Sequence, residues 1–233
     1  GKTNEALDHL GKARESQAGF VPAIALEAEL LGKAGKAKRG QRLIEDAWAR
    51  SPHPALARAY RELSPEGTAI DRFKRLHALA ERAPQDLESR LTVAEAALDA
   101  ELWGEARVQL EALSGADLTA RACRLRARLE EAEHGDSRAA RMWLERASAA
   151  PADPAWTCST CGAVAPDWSA VCGHCGEFDT LAWTPPPRVS VMTEDEVSAV
   201  EAEIVELPAA TPAGPRKPAE TASEPAESAP RAA

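Results

Sequence analysis

The fold class that the sequence predicts is all-α: a solenoid of paired helices, followed by a small four-cysteine element and a tail. Three observations predict it. Only 4% of the residues are aromatic while 44% are hydrophobic, so alanine and leucine carry the apolar content, and a β-sandwich or barrel would lack its β-branched and aromatic supply. A stripe of small and apolar residues returns about every 34 positions, the mark of a repeat. Four of the five cysteines lie between residues 158 and 175.

The repeat justifies the helices in order. Ala6, Leu10 and Ala13 have the i, i+4, i+7 spacing of an amphipathic helix. The same stripe returns at Gly40, Ile44 and Ala47, at Arg72, Leu76 and Leu79, at Ala106, Leu110 and Leu113, and at Ala140, Leu144 and Ala147. Five positions before each set stands Gly1, Gly35, Gly67 and Gly135, with Glu101 in place of glycine before the fourth set. A glycine there ends the preceding helix, because it enters the left-handed conformation without steric cost. Pro52 and Pro84 close the second and third sets, where the chain must leave the helical path. The spacing thus predicts first helices near 21–33, 54–63, 86–100 and 117–133, and second helices near 3–15, 37–50, 68–83, 103–113 and 136–149.

Helix-pair length, small residues, glycine turns and closing prolines over residues 1–151 resemble the tetratricopeptide repeat family. The likeness departs from that family's pattern at Arg72 and at Leu118, which stands where a closing proline is expected. It implies an α-solenoid that presents a surface to a protein partner, and no enzyme. The composition excludes other classes. No phosphate loop, Ser/His/Asp signature or carboxylate pair stands in context. Residues 1–151 hold 24 basic and 24 acidic side chains, so no basic face argues for nucleic acid.

Residues 152–184 form the second predicted domain. Cys158 and Cys161 are two residues apart, as are Cys172 and Cys175, and Gly162 and Gly176 follow the two pairs. Two such turns can aim four thiolates at one ion in a closed tetrahedral site, which suits Zn²⁺ and also a single iron. A disulfide is the weaker reading, since the chain shows no secretory signal and a solenoid needs no staples. A stretch this short cannot build an adequate core, so metal binding and folding should be coupled. Trp156, Trp168, Phe178, Leu181 and Trp183 are the bulky apolar groups available to cover the site, and Val164, Val171 and the FDTLAW run suit short strands. His174 reads as a solvent-facing turn residue and Cys123 as a buried free thiol. Arg121, Arg124 and Arg128 share a helix face that is either solvated or open to an acidic partner.

The pattern W-x-C-x2-C-G-x5-W-x3-C-x2-C-G-x-F-D-T-L-x-W, placed directly after the helical pairs, resembles two membrane-associated bacterial families. One is the HemY family, linked to haem biosynthesis, through the DPAW run at 153–156 and the FDTL run at 178–181. The other is the lipopolysaccharide assembly protein B family, whose repeats also end in a rubredoxin-like knuckle. The cysteine segment is similar too to the finger of the RadA/Sms recombination proteins, but no P-loop follows Cys175. The HemY resemblance implies an inner-membrane protein with an N-terminal anchor, whose repeats lie on the cytoplasmic side and serve as a scaffold in haem or porphyrin metabolism. The sequence opens without Met and partway through a repeat, so an upstream segment is expected, and any membrane contact would come through it. The alternatives are a rubredoxin-like iron redox module and a regulatory scaffold of lipopolysaccharide assembly.

Residues 185–233 are rich in proline, alanine and glutamate and cannot bury enough apolar surface to offset their ordering entropy. They are expected to be disordered. Within them, 193–208 places Val197, Val200, Ile204 and Leu207 at helical spacing among acids.

Overall fold

The computed structural model describes residues 2–187, and the expected disordered tail lies outside them from residue 188 on. Within the described residues the stripe produces nine α-helices: α1 (Lys2–Ser16), α2 (Val21–Lys33), α3 (Ala37–Trp48), α4 (Pro54–Glu62), α5 (Ala69–Ala80), α6 (Leu87–Asp99), α7 (Trp103–Glu111), α8 (Ala120–His134) and α9 (Ser137–Ala149). Several ends differ from the sequence reading by two or three residues. The start of α8 is delayed because Gly115–Asp117 forms a 3₁₀ turn and the Thr119 hydroxyl then caps the helix.

The glycines take positive φ, 72° at Gly35, 102° at Gly67 and 61° at Gly135. Gly67 does not end a helix, however: α4 stops at Glu62 with a right-handed cap at Leu63, and Gly67 leads into the Thr68 cap of α5. Glu101, at the place without a glycine, takes the same conformation at φ 59°. The small stripe residues have a packing reason. A side chain at Gly40 would meet Leu63 at 2.9 Å and the Ala28 carbonyl at 3.1 Å, so a larger residue there would have to turn the Leu63 side chain and ease α3 slightly away from α2. Ile44, Leu76 and Leu110, the central members of three sets, are 0%, 3% and 1% exposed.

Two apolar clusters run through the array. The first joins α2, α3, α4 and α5 around Ile24, Leu56 and Trp48, whose indole N–H donates to Ser89 Oγ at 2.9 Å. The second joins α6, α7, α8 and α9 around Leu98, Leu110 and Leu129. Phe73 packs against both. Beyond α9 the chain forms a three-stranded antiparallel sheet of β1 (Ala155–Cys158), β2 (Val164–Ala165) and β3 (Leu181–Thr184), in the order β2-β1-β3.

This ribbon folds back onto the N-terminal ends of α2, α4 and α8. Phe20, the residue before α2, meets Trp168 edge-on with ring centroids 5.0 Å apart. His53, which caps α4, packs on Trp183 at 4.3 Å and on Trp156 at 5.5 Å. Arg58 of α4 pairs with Asp167 at 2.6 Å. In the first turn of α8, the Arg121 N–H donates to the Asp153 carboxylate at 2.8 Å and the Ala120 N–H donates to the Pro151 carbonyl at 3.0 Å. Helix N-termini carry partial positive charge and unpaired N–H groups, so an element with four acids and no Lys or Arg is held there by the ends of the helices as well as by their side chains.

Candidate metal centre

The two CxxC segments adopt one local structure twice. The Gly162 N–H donates to the Cys158 carbonyl at 2.9 Å, and the Cys158 N–H donates to the Ala163 carbonyl at 2.9 Å. In the second segment Gly176 donates to Cys172 at 2.9 Å and Cys172 donates to Glu177 at 2.8 Å. Both turns close through a glycine of positive φ, 72° at Gly162 and 78° at Gly176. The first sulfur of each turn accepts from two backbone N–H groups: Thr160 and Cys161 on Cys158, and His174 and Cys175 on Cys172. The second sulfur accepts from one, Ala163 on Cys161 and Glu177 on Cys175. Such donors favour thiolate over thiol.

The four Sγ atoms lie within 4.8 Å of one another. The Cys158–Cys175 separation is 3.7 Å and the Cys161–Cys172 separation is 3.8 Å. A disulfide spans about 2.05 Å, and all five cysteines are free. A tetrahedral ion with metal–sulfur bonds of about 2.3 Å holds its ligands about 3.8 Å apart along each edge. These two close contacts join cysteines of different turns, the arrangement a shared ion requires and a redox CxxC pair does not. The residues therefore fit a four-thiolate metal ion.

Proton release from the cluster is graded. Cys158 is pulled down to about 6, first by its hydrogen bond with the Thr180 hydroxyl, 3.2 Å away, which can turn to serve the thiolate, and then because Cys161 and Thr160 donate from the backbone. Cys175 is pushed up to about 12: the Glu177 N–H favours its thiolate, but burial and the three neighbouring sulfurs outweigh it. One thiolate forms readily and a fourth does not, unless a cation supplies the compensating charge.

The cover over the sulfurs is thin. Trp156, Leu181, Cys158 and Cys172 form the buried cluster, with Trp168, Ala163 and Ala165 against it. Cys161 and Cys175 face solvent. Phe178, expected to join this cover, is 72% exposed. Its bridge with Val171 lies outside the three-stranded sheet, so no second layer reaches it.

Other residues singled out in the sequence fall as follows. His174 is exposed and serves the site through its backbone N–H. Cys123 is fully buried, and burial raises its pKa, which makes it an inert thiol. The arginine face of α8 is neither simply solvated nor free for an external acid. Arg121 pairs with Glu88 at 2.8 Å and Glu95 at 3.1 Å, Arg124 with Asp153 at 3.0 Å, and Arg128 with Asp99 at 2.7 Å, so the acids are those of α6 and the ribbon. Burial raises the pKa of Glu88 although Arg121 opposes it. A cleft of about 540 Å³ lies between ribbon and helices, lined by His53, Arg58, Arg61, Glu95 and Trp183 among others.

The sequence reading missed four participants: Thr180 on the Cys158 sulfur, His53 under the ribbon tryptophans, and the acids Asp153 and Asp167 that seat the ribbon. Thr180 stood within the quoted FDTL run and Asp153 opened the DPAW run, but nothing in the spacing marked His53.

A probable magnetosome protein of Magnetospirillum gryphiswaldense, Mms48, is 34% identical to this chain over 178 residues, which make up 74% of the chain and 39% of that protein. The chain thus spans about two fifths of the length of this curated relative. No profile of a known protein family matches the chain, and no solved structure matches it. The centre is a set of four cysteines positioned to hold a metal ion, built on a mostly helical protein.

Proposed function

We propose that this protein is a non-catalytic scaffold: a tetratricopeptide-like solenoid whose ribbon is folded and held by a structural Zn²⁺ on Cys158, Cys161, Cys172 and Cys175. The observation that carries this reading is the doubled turn, with six backbone N–H donors on four sulfurs that lie within 4.8 Å of one another, inside an element seated against three helix N-termini. When bound, the ion would compensate the thiolate charge and supply the folding energy that the ribbon's small core lacks. The chain's own residues do the rest: Thr180 and the turn amides hold the sulfurs, and Asp153 and Asp167 hold the ribbon to α8 and α4.

The concave side of the helices would receive a protein partner. Haem or porphyrin metabolism, and an inner-membrane protein with this region on its cytoplasmic side, rest on the HemY resemblance, and the name of the magnetosome relative adds nothing to that link. No described helix is long and apolar enough to cross a membrane.

A rubredoxin-like redox reading is kept because Cys161 and Cys175 face solvent, as an electron-passing site requires. Elemental analysis with a visible spectrum, on protein purified without an affinity-metal column, separates the two. Zinc in a colourless protein supports the scaffold. Iron, with a colour that bleaches on reduction, overturns it. If Cys158→Ser and Cys172→Ser bind metal and melt like the parent, both readings fail.

A further inference from the structure

The ribbon carries an apolar knob that the metal centre does not use. Phe178 is 72% exposed and Val171, its bridge partner, 49%. Glu177 and Asp179 flank the ring in the chain, and neither has an ion-pair partner among the described residues. Asp153 and Asp167, the other two acids of the element, are bound to arginines at the seam with the helices. The unpaired negative charge of the ribbon is thus gathered around Phe178, and four thiolates on a divalent ion would add to it.

The opposite feature lies on α9. Ala139, Met142, Trp143 and Arg146 line a hollow of about 170 Å³, and Met142 is 62% exposed. Two guanidiniums lie against the Trp143 indole, Arg126 at 4.6 Å and Arg146 at 5.4 Å. Among the described residues neither has a carboxylate within ion-pair distance, and the buried Arg126 Nε has no hydrogen-bond partner. Arg126 Nη2 donates to the Leu110 carbonyl at 2.7 Å. With Arg138, Arg141 and Arg146 against Glu145, α9 is also basic as a whole.

We propose that Phe178 of one chain seats in the α9 hollow of a second copy, with Glu177 and Asp179 facing Arg126 and Arg146. Each side supplies what the other lacks: an aromatic ring with an acidic rim, and an indole hollow with a basic rim. Knob and hollow are different surfaces, so one contact leaves a free knob at one end and a free hollow at the other. Further copies add with concentration unless the free ends meet and close the assembly. Charge holds much of it, so salt weakens it.

The test is sedimentation velocity on the full, metal-loaded chain over a range of concentrations at low and high salt. The average mass should exceed that of the monomer, rise with concentration and fall with salt. Phe178→Ser and Arg146→Glu should each weaken association by about tenfold or more, the effect of losing an interface anchor. Arg146 lies on an exposed helix face outside the ribbon, so its variant carries the test even if the Phe178 variant loses metal. The decisive step is mixing. Phe178→Ser keeps a sound hollow and Arg146→Glu a sound knob, so equal amounts should form a dimer and nothing larger. Three results would overturn the proposal: a monomer at every concentration, which leaves these surfaces to a foreign partner or to none; assembly that ignores both substitutions; and variants that remain monomeric on mixing.

Discussion

The helical array and the ribbon solve the same problem with different material. In the array, two clusters of alanine, leucine and a few aromatics bury the stripe of every inner helix pair. In the ribbon the buried cluster has four members, and two of them, Cys158 and Cys172, are sulfurs of the metal centre. The array can hold itself with hydrocarbon, whereas the ribbon has almost none to hold. Small elements reach stability by other means than a core, and here four cysteines positioned for one ion offer such a means.

Metal removal should therefore separate the two regions, with the largest effect of any change. Structural zinc sites carry an apparent binding free energy of about 10–16 kcal/mol at neutral pH. Chelation under reducing conditions, or Cys158→Ser, should abolish the near-ultraviolet signal of Trp156, Trp168 and Trp183 while most of the far-ultraviolet helix signal stays. If the helix signal collapses in parallel, the array depends on the ribbon and the contrast is wrong.

The converse change strikes the array alone. Trp48 is fully buried, and its N–H satisfies the buried Ser89 hydroxyl. Trp48→Ala should cost about 3–5 kcal/mol in denaturant unfolding. Metal content per chain should not change, because no ligand touches that core. Loss of metal from this variant would show that the two regions fold as one unit.

Much of this contrast was legible in the sequence, and for a physical reason. Helix periodicity, glycine turns and CxxC spacing are local, so Ile44, Gly35 and Cys158 could be placed from neighbours within a turn or two. The seam is not local. Arg58 meets Asp167 over a separation of 109 residues, and no pattern along the chain couples them. Phe178 was misplaced for a related reason: an aromatic beside a ligand reads as cover, and only the sheet order shows that no layer lies over it.

His53 sharpens the comparison at the seam itself. Its Nδ1 accepts from the Ala55 N–H, and its ring lies among Trp156, Trp183 and the nearby Arg58. Burial first, and then Arg58, lowers its pKa from 6.5 to about 4. Below pH 6.5 the unfolded chain binds a proton that the folded chain refuses. The stability His53 contributes is thus complete above pH 6.5 and is lost as pH falls toward 4. Between pH 7 and pH 5 the loss is about 2 kcal/mol. His53→Asn keeps a capping side chain and removes the titration, so its acid slope should be shallower than that of the parent by that amount. Bound metal must be measured at each pH, since thiolates also take up protons in acid. Equal slopes with metal retained would remove His53 from the seam's energetics.

The smallest effect compares one strained residue in each region. Glu101 stands at φ 59° where other pairs use glycine, and Asp179 stands at φ 55° in the ribbon. A side chain in the left-handed region costs about 1–2 kcal/mol, less for aspartate, whose short polar group tolerates it. Glycine removes that cost but gives back part of it as unfolded-chain entropy. Glu101→Gly should then raise stability by about 0.5–1 kcal/mol, read as a shift in the denaturant midpoint of the array. Asp179→Gly should do less, because aspartate starts with the smaller penalty and its N–H bond to the Ala170 carbonyl, at 2.8 Å, survives the substitution. A destabilised Glu101→Gly would mean that the fourth turn uses the glutamate side chain for something other than closing the helix. The turn that breaks the glycine pattern would then be the place to look for a contact particular to this array.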